Sequence, residues 1–270
     1  WLKIDLSSDR QSENTSGIIH ANRLHTICES GLCPNRAECW RLGTATLMIG
    51  GNICTRHCRF CNTPSGRPLP LDGDEPQRVA ESVKEMNLKY VVLTSVDRDD
   101  LPDMGAEHWR QTVEAVRQLC PAKIEVLLPD FQGRDDLMDI VLLSRPDVVA
   151  HNIETVRRLT PVVRSVATYE GSLHVLRHIH EQGFVAKSGL MLGLGETEAE
   201  VLQTLRDLRD SGVDRVTIGQ YLQPTAHHLP VAAYIAPDKF RWYRDQALQM
   251  GFRSAVSGPL VRSSYKAGMD

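Results

Sequence analysis

The residues best suited to chemistry in this chain are three cysteines on one short stretch. Cys54, Cys58 and Cys61 form a C-x3-C-x2-C pattern directly after the apolar run Thr44–Gly50. Three thiolates at this spacing can each bind one iron of a cubane iron–sulfur cluster, because thiolate is the usual protein ligand of such irons. The fourth iron then has no protein ligand. It can bind the amino and carboxylate groups of a small molecule, to which the cluster can pass an electron.

Zinc binding and disulfide bonding are the alternative uses of these thiols. Structural zinc sites usually combine two closely spaced cysteine pairs into a set of four ligands, and no fourth cysteine lies beside these three. His57 could complete a zinc set, but its position inside the loop disfavours that geometry. A disulfide framework is disfavoured because we find no signal peptide and the cysteines crowd a short stretch. The spacing therefore favours an iron–sulfur cluster.

A second group of three cysteines lies upstream, where Cys28, Cys33 and Cys39 form a C-x4-C-x5-C pattern. Turn- and cap-forming residues separate them, so we expect neither a strand nor a long helix there. The fourth ligand is again not local, and His25 is close enough in sequence to be a candidate. Two such groups suggest two clusters with different tasks. The second cluster could bind substrate, relay electrons or supply sulfide, and spacing alone does not choose among these.

The elements that must position the cysteines alternate between strands and helices. Short β-branched or apolar runs predict six strands, at Thr44–Gly50, Tyr90–Ser95, Ile124–Pro129, Asp147–His151, Val185–Leu192 and Arg215–Gln220. Apolar residues at helical spacing lie between them, Thr197 with Glu200 predicts a capping box, and Gly183 and Gly212 predict helix ends. Successive βα units imply a parallel sheet with right-handed crossovers. We therefore predict an α/β fold, a partial (βα)6 TIM-like barrel that is open on one side.

The predicted barrel has an extension at each end. We expect an N-terminal extension at residues 1–43 that carries the upstream cysteines, the barrel at residues 44–236, and a C-terminal helix and extension at residues 237–270. A chain of 270 residues is of normal length for a single α/β barrel with such additions.

Composition and charge exclude several classes of partner. The formal net charge is −3, so there is no basic footprint for nucleic acid, and no apolar run reaches the roughly 18 residues of a membrane span. Cys120 lies at the end of a predicted helix and is interpreted as a free thiol. We expect a cytoplasmic protein, or an organellar one if a targeting segment precedes Trp1.

Polar residues at the ends of the predicted strands are the remaining candidates, because barrel active sites form at the carboxyl ends of strands. They are Ser95, Asp97, Arg98, Asp130, Asn152, Glu154, Lys187, Ser188 and Gln220. A buried ammonium needs a partner, so we expect Lys187 to point at Glu154 or at a ligand. Alternatively, Asp97–Asp100 is a solvated, self-paired loop, and Asn152 with Glu154 caps the next helix. The pair His227–His228 is interpreted as a loop feature.

The C-x3-C-x2-C pattern resembles that of the radical S-adenosylmethionine (SAM) superfamily. The chain as a whole resembles the lipoyl synthase family, since both cysteine patterns occur in order and are followed by Arg262-Ser263-Ser264-Tyr265 near the end. Further stretches that carry the resemblance are Thr94–Asp103, Pro129–Phe131, His151–Val156, Lys187–Glu196 and Gly219–Pro224. The chain departs from the family pattern at Met104, where Gly is usual, and at Arg164–Tyr169, which lacks the usual Pro-Gly.

This resemblance implies an enzyme that inserts two sulfur atoms, at C6 and C8, into an octanoyl chain amide-linked to a lysine of a lipoyl carrier protein. It implies SAM and two [4Fe–4S] clusters as cofactors. The SAM-binding cluster would be held by Cys54, Cys58 and Cys61, and an auxiliary cluster, consumed as sulfur donor, by Cys28, Cys33, Cys39 and Ser263. The implied SAM contacts are Phe60, with its backbone near the adenine, and Ser95, Glu154, Arg164 and Lys187 at the polar groups.

The expected partners follow from this activity. They are an octanoylated lipoyl carrier protein or domain, an electron donor such as ferredoxin or flavodoxin, and iron–sulfur assembly factors, and we expect a monomer. Two alternatives stay open. Another two-cluster radical SAM sulfurtransferase would cleave SAM without converting octanoyl-lysine. A zinc-binding interaction module with a barrel-like body would be colourless and replete with zinc.

Overall fold

The computed structural model of the chain describes residues 10–265 and 267–268. Residues 1–9 of the predicted N-terminal extension and residues 266, 269 and 270 of the predicted C-terminal one lie outside this range. The described residues form two compact units. Unit 1 takes in the chain up to Thr55, Asn62–Asp147 and the residues from Ser264 onward, and unit 2 takes in Arg56–Cys61 and Val148–Ser263. The predicted boundaries after residues 43 and 236 divide the chain differently and stay a prediction.

Unit 1 packs helices against a sheet. Its elements in chain order are α1 (Arg10–Ala21), β1 (His25–Thr26), α2 (Ile27–Ser30), α3 (Arg36–Arg41), β2 (Thr44–Ile49), α4 (Glu75–Glu85), β3 (Tyr90–Ser95), α5 (Ala106–Leu119), β4 (Lys123–Leu127), a 3-10 turn (Phe131–Gly133) and α6 (Asp135–Leu142). Strands β2, β3 and β4 pair in parallel, and β1 pairs antiparallel with β2. Helices α4 and α5 connect the parallel strands, which is the βα alternation that the sequence predicted.

The core of unit 1 lies between its sheet and the helices. Val79 and Val83 of α4, and Trp109 and Val113 of α5, are buried, because their spacing places them on one face of each helix. All six residues of β2 are buried, and its sequence has small, β-branched or apolar residues at every position, as expected of a strand covered on both faces.

Unit 2 continues the alternation. Its elements are β5 (Val148–Ala150), α7 (Thr160–Val163), α8 (Tyr169–Glu181), β6 (Ala186–Leu192), α9 (Glu198–Asp210), β7 (Arg215–Gln220), α10 (Pro237–Gln249) and β8 (Ser254–Gly258). The four strands pair in parallel in chain order. The predicted capping box of Thr197 and Glu200 is confirmed at the start of α9. Gly183 and Gly212 follow α8 and α9 with φ of +81° and +82°, as predicted for helix ends.

Some elements were not predicted from the sequence. Helices α2 and α3 have four and six residues, too few for periodicity to reveal. Strand β8 was expected to lie in an extension outside the barrel, and that expectation is wrong because β8 pairs in parallel with β7. Its sequence, SAVSG, is small and polar and gives little strand signal. Among the described residues, no helix has both the length and the apolar character needed to cross a membrane.

Candidate active site

The upstream cysteines lie in unit 1, on and around the short helices α2 and α3. Thr26 caps α2, because its Oγ1 accepts the Cys28 N–H at 3.1 Å and donates to Thr46 O at 2.7 Å. The Cys33 N–H donates to Cys28 O at 3.0 Å. Cys28 is buried, Cys33 and Cys39 are half-buried, and none forms a disulfide. These thiols therefore stand on turns that are anchored to β2.

Two residues of the near-terminal motif lie in unit 1 with this group. Ser264 Oγ accepts a hydrogen bond from Thr46 Oγ1 at 2.9 Å, and the Tyr265 hydroxyl donates to Glu38 Oε2 of α3 at 3.2 Å. Ser263, the predicted fourth ligand, belongs to unit 2. Its role as a ligand stays a prediction.

Cys54 belongs to unit 1, where the loop after β3 holds it. Its N–H donates to Pro64 O at 2.8 Å. The Asp97 N–H donates to Cys54 Sγ at 3.3 Å, and the thiol also contacts Asp97 Oδ2 at 3.5 Å. A backbone N–H aimed at the sulfur stabilises negative charge there. Ser95, a predicted SAM contact, is half-buried and ends β3 opposite Ile49.

The run Asp97–Asp100 after β3 combines two roles that were alternatives in the sequence analysis, contact with the candidate site and pairing within itself. Thr55 N–H donates to Asp97 O at 3.1 Å, and Thr55 Oγ1 donates to Asp99 Oδ2 at 2.9 Å. Asp97 and Asp99 therefore bind the loop at residues 54–61, which we call the cysteine loop. Arg98 and Asp100 pair with each other through hydrogen bonds of 2.8 and 2.9 Å. The Arg98 guanidinium holds the pKa of the Asp100 carboxyl below its ordinary value.

The Gly50 peptide, directly after β2, is fixed on both sides. Its N–H donates to Glu75 Oε2 at 2.8 Å, and its carbonyl accepts from Arg98 Nη1 at 3.2 Å. Glu75 Oε2 also lies 2.6 Å from His108 Nε2. Glu75, Arg98 and His108 are 4%, 4% and 7% exposed, and we call these three residues the Gly50 clamp. Gly50 has φ of +78°, a conformation that favours glycine.

The remaining downstream cysteines, Cys58 and Cys61, lie on the part of the loop that belongs to unit 2. The Arg59 N–H donates to the carbonyl of Val163, the last residue of α7, at 2.9 Å. His228 Nε2 lies 3.0 Å from Cys61 O. We interpreted His228 from the sequence as a loop feature outside the site, whereas the structure shows it in contact with the cysteine loop.

Ser165 also contacts this loop, and sequence reasoning missed it. Its Oγ accepts the His57 N–H at 3.2 Å and lies 3.6 Å from Cys58 Sγ. Phe60, predicted to lie near the adenine, is half-buried in the same loop. The Ser165 hydroxyl therefore contacts the thiol of Cys58 in this loop.

Glu154 and Arg164, both predicted SAM contacts, come together in unit 2 with Asn152. Glu154 follows β5 and has φ of +66°. Burial raises the pKa of its carboxyl above the ordinary value, although the Arg164 charge and a hydrogen bond from Asn152 act in the opposite direction. Arg164 Nη1 donates to Asn152 O at 3.3 Å and to Ser172 Oγ at 2.6 Å. The capping role considered for Asn152 and Glu154 is not what the structure shows, since Leu159 stands at the start of α7.

Two buried polar atoms of this group have no hydrogen-bond partner among the described residues. They are Asn152 Oδ1 and Arg164 Nε. Leaving a buried acceptor and a buried donor unsatisfied is costly, so this pair indicates a place for a polar ligand.

Lys187 is 3% exposed on β6, and its carbonyl accepts the His151 N–H at 3.0 Å. Its expected pairing with Glu154 or a ligand stays a prediction.

Residues 48–208 match the Radical SAM superfamily. The match covers more than half of the chain and includes all three downstream cysteines.

Several curated relatives are similar to this chain over almost its full length. The lipoyl synthase of Parabacteroides distasonis is 57% identical over 268 residues, which are 99% of this chain and 95% of the relative. That of Porphyromonas gingivalis is 56% identical and covers the same shares. That of Treponema denticola is 54% identical over 99% of this chain and 92% of its own length.

Solved structures resemble the fold at much lower identity. The crystal structure of methylornithine synthase has a TM-score of 0.61 at 15% identity and covers 99% of this chain and 85% of its own. Streptococcus suis SuiB bound to S-adenosylmethionine has a TM-score of 0.65 at 12% identity, over 87% of this chain and 57% of its own. At these identities the likeness concerns the fold alone, and it confirms the predicted α/β partial barrel of TIM type.

Proposed function

This chain belongs to the lipoyl synthase family of the radical SAM superfamily, and from that membership we propose which of its residues carry out the family's reaction. The enzyme inserts two sulfur atoms, at C6 and C8, into an octanoyl chain amide-linked to a lysine of a carrier protein. It uses SAM and two [4Fe–4S] clusters, one of which supplies the sulfur. An octanoylated carrier and a reductant are therefore its reaction partners.

The cysteines fit cluster binding by their chemistry. None of the six cysteines in the two groups forms a disulfide, and thiolate is the ligand that iron–sulfur clusters prefer. Among the residues that the structure describes, no three His, Cys, Asp or Glu side chains converge on a single metal-ion position; a cubane instead takes one thiolate at each iron. We assign the SAM-binding cluster to Cys54, Cys58 and Cys61, and the auxiliary cluster to Cys28, Cys33, Cys39 and Ser263.

The unsatisfied atoms beside Glu154 fit the polar groups of SAM, which are an ammonium, a carboxylate and two ribose hydroxyls. The Glu154 carboxylate can accept from the ammonium or a hydroxyl. Arg164 Nε can donate to a carboxylate or hydroxyl, and Asn152 Oδ1 can accept from a hydroxyl. Phe60, Ser95 and Lys187 complete the proposed SAM set.

When bound, the cofactors supply the electron that cleaves SAM, the radical that removes hydrogen from the octanoyl chain, and the sulfur that replaces it. The chain's own residues hold and orient these groups. The Asp97 N–H stabilises charge on Cys54 Sγ, and the Gly50 clamp fixes the backbone that leads into the cysteine loop. Thr26 fixes the turn that carries Cys28.

We also propose the finer identity of the partners. The carrier is a lipoyl carrier protein or domain, the reductant is a ferredoxin or flavodoxin, and iron–sulfur assembly factors rebuild the auxiliary cluster. The chain acts as a cytoplasmic monomer. A net charge of −3 supports a protein partner rather than nucleic acid, which attracts basic surfaces.

The observation that carries the proposal is the spacing of the two three-cysteine groups, which follow one another in the family's order. The test is an anaerobic incubation of the reconstituted chain with SAM, a strong reductant and an octanoyl-lysine peptide. Mass spectrometry should show 5′-deoxyadenosine and a peptide that has gained two sulfurs as a dithiol, which loses two hydrogens when it is oxidised to the cyclic disulfide after the incubation. Cys28→Ala should abolish sulfur gain but spare SAM cleavage, and Cys58→Ala should abolish both.

Cys120→Ala is the matched control. Cys120 is a half-buried free thiol outside both groups, and its Sγ donates to Val116 O at 3.2 Å, so this variant should keep full activity. Sulfur insertion by Cys28→Ala, or SAM cleavage by Cys58→Ala, would contradict the ligand assignment. Formation of 5′-deoxyadenosine with an unchanged peptide would retain the radical chemistry and reject the substrate.

A further inference from the structure

The hydroxyl of Ser165 is placed between two residues of the cysteine loop. Its oxygen accepts the His57 N–H at 3.2 Å. A hydroxyl that accepts in one direction keeps its single proton for another, and Cys58 Sγ lies 3.6 Å away. Hydrogen bonds to sulfur are longer than those to oxygen because the sulfur atom is larger. Either atom could donate while Cys58 is a thiol, but a Cys58 thiolate has no proton and can only accept the hydrogen bond from Ser165.

We propose that Ser165 sets the reduction potential of the SAM-binding cluster by donating this hydrogen bond to the Cys58 thiolate. The inference rests on the proposed role of Cys58 as a ligand of that cluster. Hydrogen bonds to the sulfurs are among the factors that set the potentials of iron–sulfur clusters. Reduction adds negative charge that the ligand sulfurs share, so a donor stabilises the reduced state more than the oxidised state. The hydroxyl thus makes the potential less negative.

Neighbouring contacts hold Ser165 in this place. The Arg164 N–H donates to Thr160 O at 2.9 Å, and the Arg59 N–H donates to Val163 O at 2.9 Å, so the end of α7 is joined to the cysteine loop. The Arg164 side chain is bonded to Ser172 at 2.6 Å. The residue before Ser165 is therefore anchored in both backbone and side chain, which fixes the backbone position from which the Ser165 side chain reaches the loop.

The same short segment serves two parts of the proposed site. Arg164, a proposed SAM contact, has a buried Nε without a hydrogen-bond partner among the described residues, and the next residue, Ser165, contacts a proposed cluster ligand. SAM cleavage requires an electron to pass from the cluster to SAM. A segment that orients one partner and tunes the other can adjust that step without contributing a ligand of its own.

The test is a redox titration of the holoenzyme that is monitored by electron paramagnetic resonance. The signal to monitor is the one that changes when SAM is added, because that change identifies the SAM-binding cluster. Ser165→Ala should shift the midpoint potential to a more negative value, and Ser165→Thr, which keeps the hydroxyl, should restore it. Val166→Ala is the matched control, because Val166 is the next residue and is 49% exposed. With a weak reductant, Ser165→Ala should cleave SAM several-fold more slowly, and a strong reductant should reduce that difference.

An unchanged midpoint potential in Ser165→Ala, with full iron content, would overturn the proposal. If that variant does not load a cluster, the unaltered enzyme in deuterium oxide decides the matter. Its reduced SAM-binding cluster should show, by pulsed resonance, one exchangeable deuteron coupling more than the Asp97 N–H on Cys54 accounts for, and the absence of that further coupling would also overturn the proposal. A wrong assignment of Cys58 would give a different result from a wrong role for Ser165. In that case the Cys58→Ala variant would still contain a cluster whose signal responds to SAM.

Discussion

Glu154 shows at the scale of one residue how binding and stability oppose each other. Burial raises the pKa of its carboxyl above the ordinary 4.5, and Arg164 offsets that effect only in part. A raised pKa means that the folded chain holds this proton more tightly than the unfolded chain does. The group therefore costs stability as pH rises from 4.5 through the raised value. A bound cation such as the SAM ammonium would reverse that cost.

We expect Glu154→Gln to stabilise the ligand-free protein and to weaken SAM binding. The gain in melting temperature should be present above the raised pKa and should vanish below pH 4.5, because the native carboxyl is then protonated as well. Thermal unfolding over a pH series, with equilibrium SAM binding, measures both effects. Glu181→Gln, an exposed change on α8, should alter neither. A ligand-free variant that is less stable than the parent at high pH would refute this reasoning.

The adjacent serines of the terminal motif allow an equally local test. Ser264 Oγ accepts from Thr46, so Ser264→Ala should cost about 1 kcal/mol of stability and retain sulfur insertion. Ser263→Ala should retain SAM cleavage and lose sulfur insertion, because under the proposed assignment it removes the fourth ligand of the auxiliary cluster. Ser263→Cys should load the cluster and insert sulfur more slowly, since thiolate holds iron more firmly than a hydroxyl oxygen does. Iron content and mass spectrometry measure these outcomes, and the opposite ranking of the two Ala variants would place the ligand at Ser264.

At the scale of elements, the sequence predicted those features that depend on local signals. Strand β2 is buried at every position, and its sequence contains only small, β-branched or apolar residues, a local signal for a buried strand. The capping box of Thr197 and Glu200 forms within four consecutive residues. By contrast, β8 carries one β-branched residue in five and is stabilised by pairing with β7, which its own sequence does not reveal.

Some residues of the candidate site were likewise predicted from local sequence signals, and others were found only in the structure. Cysteine spacing and strand ends predicted the thiols, Glu154 and Arg164. Ser165 meets Cys58 across 107 positions of the chain, and His228 meets Cys61 across 167. No spacing rule connects residues that far apart, so contacts of this kind required the structure.

The Gly50 clamp leads to a prediction about how an element end is held. Glu75→Ala should lower the free energy of unfolding, by about 1–3 kcal/mol for each of the two buried groups that lose this partner, the His108 Nε2 and the Gly50 N–H. Glu107→Ala, which removes an exposed ion pair with Arg110 on α5, should cost about 1 kcal/mol or less. Urea unfolding of both variants provides the comparison.

The Gly50 clamp should affect iron content as well as stability, because it holds the backbone ahead of the cysteine loop, and ordinary core packing would affect stability alone. Glu75→Gln keeps an acceptor for the Gly50 N–H and should therefore recover much of the stability and of the iron content that Glu75→Ala loses. Equal losses in Glu75→Ala and Glu107→Ala would show that the clamp does not hold the backbone ahead of the cysteine loop.

At the scale of the whole molecule, the cysteine count limits what one chain can deliver. Six of the seven cysteines belong to the two groups, and Cys120 alone lies outside them. The proposed assignment therefore leaves one auxiliary cluster per chain and no thiols for another. Because that cluster is the sulfur donor, the chain behaves as a reagent for sulfur and as a catalyst for SAM cleavage.

We therefore expect at most one lipoyl group per chain when no assembly factors are present. A chain reconstituted with 34S-labelled sulfide should give a product in which both sulfurs are labelled, accompanied by two molecules of 5′-deoxyadenosine, because each insertion uses one radical. Cys28→Ala should keep producing 5′-deoxyadenosine without product, and Cys120→Ala should match the parent, since its thiol serves neither cluster. Product in excess of the chain, or unlabelled sulfur in it, would mean that a source other than the Cys28 group supplies the sulfur.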